Sequence, residues 1–149
     1  MHDSINPNPT PNSPSQPLSQ TQPQFVGPAH ISTLPTQASP HFQWSEFMCP
    51  HCHMVYFSTI LLSRLESLRS RLTLPIRITS GYRCRDHNST IPGAAPNSTH
   101  VTGLGVDLVC PMSPYATLLA HCVSVFEDGG VGRYSDGHVH VDLGPKRRW

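Results

Sequence analysis

The 149-residue chain carries ten Lys and Arg against nine Asp and Glu, a formal net charge of +1, and is 37% hydrophobic and 7% aromatic. That length fits one compact domain and leaves no room for a second large one. The balanced charge excludes a general nucleic-acid or membrane-coating surface, no apolar run is long enough to span a bilayer, and the low apolar fraction implies that part of the chain joins no core.

Residues 1–40 hold nine of the sixteen prolines, set among Asn, Ser, Gln and Thr. Large apolar side chains there are too few to offset the entropy of ordering the backbone. A disordered tail is therefore expected over 1–40, either plainly solvated or serving as a tether, and a folded domain over 41–149. The start of the chain has neither the charged nor the apolar region of a secretory signal. The expectation is synthesis in the cytoplasm, with any action outside it depending on release or delivery.

Aromatics first cluster at Phe42, Trp44 and Phe47. Cys49-Pro50-His51-Cys52-His53 follows, a Cys-x-x-Cys pair that reads as half of a zinc knuckle or as a redox pair. A second such pair is missing, because Cys84, Cys110 and Cys122 stand singly. Two readings stand: a second, structural metal on Cys49, Cys52 and Cys84, with His51 or His53 in reserve, or reduced structural cysteines. Five cysteines argue against a complete disulfide framework.

Ser58 to Leu72 predicts a helix. Ile60, Leu61, Leu65, Leu68 and Leu72 recur at helical spacing, Ser58 can cap the start, and Pro75 ends it. Pro75 to Ser80 alternates as a strand, Gly81 to Arg85 turns, and Asp86 to Asn97 reads as a long polar loop. Leu104 to Val109 reads as a buried strand with Val106 and Leu108 on one face and Asp107 on the other. A lone Asp in such a strand is costly to bury unless it is paired or bound to a metal. Tyr115 to Phe126 predicts a second helix. Val131 to Tyr134 and His138 to Leu143, joined through Ser135-Asp136-Gly137, predict a hairpin. Along its second strand His138, His140 and Asp142 share one face and Val139 and Val141 the other.

His100, Asp107 and the His138–Asp142 strand bring histidines and carboxylates together in a way that suits a catalytic zinc, which takes three protein ligands and keeps one position open. The pattern Ser98-x-His100-x-x-Gly103-x-Gly105-x-Asp107, followed by His138-x-His140-x-Asp142, closely resembles the zinc D-Ala-D-Ala carboxypeptidase family. That family lies within the hedgehog/DD-peptidase superfamily, and the chain looks like a small, phage-type, endolysin-like member. Ile78-Thr79-Ser80-Gly81-Tyr82-Arg83 and Gly130 to Tyr134 support the likeness, which runs from about Phe42 to the end.

The resemblance implies an α+β fold, with a small antiparallel sheet, helices packed on it and zinc in a cleft. It implies hydrolysis of an amide bond in peptidoglycan stem peptides, with His100, Asp107 and His140 as zinc ligands. Many members carry an acidic base three positions before the last ligand, where Gly137 stands here. Others carry a histidine two positions before it, so His138 is expected as the acid/base, with Asp136 in reserve. On the substrate side, Arg83 is expected to hold a carboxylate or make a surface ion pair. Ser98 would help orient the site, and Asp142 would orient a histidine or bind a substrate amine. Gly105 replaces the family's usual Ala. Two rival readings remain: an inactive zinc-holding module that recognises wall peptides, and a cysteine knuckle for nucleic acid, which the charge and the missing second pair oppose.

Overall fold

The leucine stripe lies on a helix, α1 (Thr59–Leu72), in the computed structural model, which describes residues 24–149. Ser58 caps it, its Oγ accepting the Leu61 N–H at 3.3 Å. Thr73, in the left-handed region at φ 56°, ends the helix two residues before Pro75. Leu61, Leu65, Leu68 and Leu72 are buried and join a core with Leu118 and Cys122 of the neighbouring helix Tyr115–Val125. No helix among the described residues is long and apolar enough to cross a membrane.

Among the described residues seven strands run in chain order: β1 (Phe25–His30), β2 (Met54–Ser58), β3 (Arg77–Ser80), β4 (Gly105–Val109), β5 (Gly130–Arg133), β6 (Val139–Asp142) and β7 (Arg147–Arg148). The main sheet has the order β3-β4-β6-β5-β7. Its first four strands are antiparallel neighbours, as expected, and β7 adds to β5 in parallel, so the sheet is mixed at one edge. Ile78, Val106, Leu108, Val131, Val139 and Val141 are buried in the same core as α1. Strand alternation therefore sends Asp107, His140 and Asp142 to the opposite face. The fold is α+β, with α1 and the Tyr115–Val125 helix against the core face of the sheet and Asp107, His140 and Asp142 on the other.

One local expectation needs correction. The polar stretch after Arg83 is not all loop: Arg85–Ser89 forms a short helix, α2, with α3 then denoting Tyr115–Val125. The basic end is tied to the fold through Arg147 and Arg148. Arg148 donates to the carbonyls of Phe126, Glu127 and Gly129, and Arg147 to Asp142.

The boundary at residue 41 also moves. Residues 1–23 of the expected tail lie outside the described residues, but β1 pairs with β2 in a two-stranded antiparallel sheet, Phe25 opposite Ser58 and His30 opposite Met54. Val26, Ile31 and Leu34 pack on the core, and Phe25 stacks on Tyr56 with ring centroids 4.8 Å apart. These few apolar residues are diluted by their polar and proline-rich neighbours. Their partner strand lies some thirty residues downstream in register, which makes the pairing invisible to local composition.

Candidate metal centre

Register sets the centre. Asp107 of β4 stands directly opposite His140 of β6, and Gly105 opposite Asp142. His100 arrives from the turn before β4, which closes through the Val101 N–H to Ser98 (2.9 Å) and the Leu104 N–H to Thr99 (2.9 Å). Gly103 ends that turn at φ 70°, and a Cβ there would stand 2.5 Å from the Tyr56 carbonyl oxygen. Glycine is required both for the left-handed backbone and for this approach to β2.

His100, Asp107 and His140 each offer a ligand atom, and these atoms lie within 4.8 Å of one another. Asp107 Oδ1 is 3.2 Å from His100 Nε2 and 2.8 Å from His140 Nδ1. The remaining nitrogen of each ring is engaged elsewhere. His100 Nδ1–H donates to the Gly81 carbonyl at 2.8 Å, and His140 Nε2–H donates to Asp142 Oδ2 at 3.0 Å. Those bonds fix the tautomers so that both free lone pairs face the Asp107 oxygen, an arrangement that a proton or a cation must fill. Two imidazoles and a carboxylate, each histidine steadied from behind, match what a catalytic zinc takes from a protein. The donor set fits the metal.

Burial pushes His100 down from its ordinary pKa, against the pull of Asp107. Burial also opposes charge on His140, but its hydrogen bonds to Asp107 and Asp142 prevail and raise it. Asp107 is pushed up by burial, yet the two histidines hold it far below the usual carboxylate range. Asp142 is held low in the same way, by His140 and Arg147 against burial.

The other expected residues divide. Arg83 is not a surface residue: it is 9% exposed, with Nη2 on Asp107 Oδ2 at 2.7 Å and Nε on Ser80 Oγ at 2.9 Å. Its ion pair is buried, and it bears on the carboxylate that the histidines share. Ser98 Oγ accepts the His100 N–H at 3.3 Å and lines the cleft. Asp142 is fully buried, with its oxygens taken by His140, Arg147 and the amides of Gly130 and Gly144. The contact to His140 is the one that bears on the centre. His138 lines the cleft with its ring stacked on Tyr134 at 4.1 Å and its Nδ1 2.5 Å from Asp136 Oδ1. Gly137 has φ 92°, and a Cβ there would meet nothing within 4 Å.

Cys49, Cys52 and Cys84 also come together, with their sulfurs within 4.8 Å of one another. The sequence reading missed Thr99. Its Oγ1 is 3.3 Å from His140 Nε2 and 2.3 Å from where a Cβ on Gly105 would stand. The signal was the exchange of the family's Ala for Gly105, which leaves room for that hydroxyl. Gly81 was missed as a positioning group because its carbonyl, not its side chain, holds His100.

These residues open onto a cleft of about 850 Å³, walled on one side by the Ile91–Asn97 loop and on the other by Tyr134, His138 and Trp149. No curated relative matches the chain. The sequence model of the Peptidase M15 family matches residues 40–142, more than two thirds of the chain, and spans His100, Asp107 and His140. The protein belongs to the Peptidase M15 family of metallopeptidases.

Proposed function

We propose that the protein hydrolyses an amide bond in the peptide stems of peptidoglycan, as a D-Ala-D-Ala carboxypeptidase or a related endopeptidase, with zinc held by His100, Asp107 and His140. The observation that carries this reading is the convergence of His100 Nε2, Asp107 Oδ1 and His140 Nδ1 at the floor of an open cleft. Zinc bound there supplies Lewis acidity, polarising a carbonyl and making water acidic near neutral pH.

The chain's own residues do the rest. Asp142 and the Gly81 carbonyl keep the two rings turned toward the centre. Arg83 steadies Asp107 from the other side, and its Nη1 makes no hydrogen bond among the described residues, leaving a donor for a substrate carboxylate. His138 Nδ1–H donates to Asp136, which leaves Nε2 as the atom that moves protons. It takes a proton from the attacking water as the oxygen adds to the carbonyl carbon, then gives it to the departing amine nitrogen as the C–N bond breaks. Tyr134, stacked on the ring, limits how far it swings.

Gly137 supports a second reading. With no carboxylate three positions before His140, the chain would hold zinc and bind wall peptides without cutting them. Digestion of purified stem peptides by zinc-loaded protein, read by mass spectrometry beside a chelated control, separates the two. Loss of a terminal alanine identifies a carboxypeptidase, and a cut within a stem or cross-link identifies an endopeptidase. Failure to cut any stem, from protein that holds zinc, favours the inactive module.

A further inference from the structure

Outside the histidine–aspartate centre, three thiols from two separate turns meet. The first turn reverses over Pro50-His51, with the Cys49 N–H on the Met54 carbonyl and the His53 N–H on the Cys49 carbonyl, both at 2.9 Å. His53 takes a left-handed conformation, φ 55°, to complete it. The reversal sets Cys49 beside Cys52. Cys84 comes from the turn after β3, which docks on the first through the Tyr82 N–H to the Phe47 carbonyl at 2.9 Å. Gly81 makes that docking possible, since a Cβ there would stand 2.5 Å from the Phe47 Cα.

Two backbone amides already address these sulfurs: Cys84 N–H donates to Cys49 Sγ and His87 N–H to Cys84 Sγ, both at 3.4 Å. A fourth donor stands close, the His51 Nδ1 at 3.3 Å from Cys84 Sγ, and the His51 ring lies parallel to that of His87. Zn–S arms of about 2.3 Å set tetrahedral ligand atoms about 3.8 Å apart, a spacing this cluster reaches with small side-chain movements.

Two blander accounts fit less well. Cysteines that only fill a core look like Cys122, fully buried in the apolar cluster, whereas Cys52 and Cys84 are half-exposed. A disulfide uses two sulfurs and strands the third. We propose that Cys49, Cys52 and Cys84, with the His51 imidazole as fourth donor, form a closed structural site for a thiophilic divalent cation of the zinc class. The cation clasps the Cys49–His53 turn to the Gly81–Cys84 turn. The second turn carries the Gly81 carbonyl on His100 and the Arg83 guanidinium on Asp107, so the clasp positions two members of the other centre.

The test loads the full, reduced chain with cobalt(II) and reads its absorption together with metal content. The proposal predicts about two equivalents of metal and a thiolate-to-cobalt charge-transfer band with the intense visible bands of a tetrahedral site. His140→Ala keeps the charge-transfer band while losing about one equivalent. Cys84→Ser weakens that band. His51→Ala keeps the band but alters the visible envelope, and an unchanged envelope removes His51 from the ligand set. Wild-type protein that binds about one equivalent and lacks the charge-transfer band overturns the site, whether or not any cysteine variant folds. Peptide cleavage does not enter the readout, so failure of the peptidase reading leaves this result standing.

Discussion

Asp107 Oδ1 and His140 Nδ1 lie 2.8 Å apart across the β4–β6 ladder, where the two residues are direct register partners. A strand slip by one residue would send one of them into the core face, so the metal centre and the apolar core depend on the same register. The apolar pairs that fix the register, Val106 opposite Val141 and Leu108 opposite Val139, are fully buried.

His138→Ala should leave metal content unchanged and slow stem-peptide hydrolysis by about a hundredfold or more. Asp136→Ala should cost less, because Asp136 is exposed and meets the His138 ring from outside the residues that line the cleft. Steady-state rates with metal analysis on the same samples check both. Unchanged turnover in His138→Ala would transfer the proton role to Asp136.

Gly105→Ala restores the residue usual in the family, yet here it should do harm. The added Cβ would stand 2.3 Å from Thr99 Oγ1 and 3.1 Å from His140 Cε1, forcing the hydroxyl or the ring aside. The expected loss is about tenfold to a hundredfold in zinc affinity, as for other changes to groups behind a ligand. Thr99→Ala in the same chain should recover part of it. Competition titration against a zinc chelator measures both, and wild-type affinity in Gly105→Ala alone would contradict the packing argument.

Glu66 ties α1 to the residues just before the aromatic cluster. It accepts the Ser39 hydroxyl at 2.6 Å, the His41 N–H at 2.9 Å and the His41 ring at 2.7 Å. Burial pushes its pKa up, but these bonds prevail and lower it. A lowered folded-state pKa means that the unfolded chain binds the proton more readily. The stabilisation is therefore full above the unfolded pKa of about 4.3 and is lost as pH falls through the folded value. Glu66→Gln should cost about 1–2 kcal/mol at neutral pH, and the difference from wild type should shrink in acid. Urea unfolding at several pH values checks the sign.

A chain starting at residue 41 should be less stable than one starting at residue 24. It loses β1, the antiparallel partner of β2, along with the packed side chains of Val26, Ile31 and Leu34. At roughly 1 kcal/mol for each of those partly buried aliphatics, the loss is about 3 kcal/mol before any hydrogen bond is counted. Thermal unfolding of the two chains measures it, and equal midpoints would return the boundary to residue 41.

What the sequence disclosed followed from periodicity and from residue chemistry. Leu61, Leu65, Leu68 and Leu72 marked α1, and the alternation around Asp107 and His140 separated core face from site face, because both patterns are local. The β1–β2 pairing was hidden, since Phe25 and Ser58 meet across a wide gap in sequence and nothing in either segment names its partner. The role of Thr99 lay in a packing relation with Gly105, and that of Gly81 in a carbonyl that every residue type carries. Arg83 was legible as a cation near the site, but its burial against Asp107 was not, because exposure is a property of the assembled fold.

On the proposed reading, His100, Asp107 and His140 hold the metal at which a wall-peptide amide is cut. The most direct test follows stem-peptide cleavage by mass spectrometry with zinc-supplemented wild type and His140→Ala side by side, both shown to be folded by their unfolding transitions. Wild type should hydrolyse one bond of the stem, releasing its two fragments, at a rate at least about a hundredfold above that of His140→Ala. A variant that cuts at the wild-type rate would contradict the proposed reading.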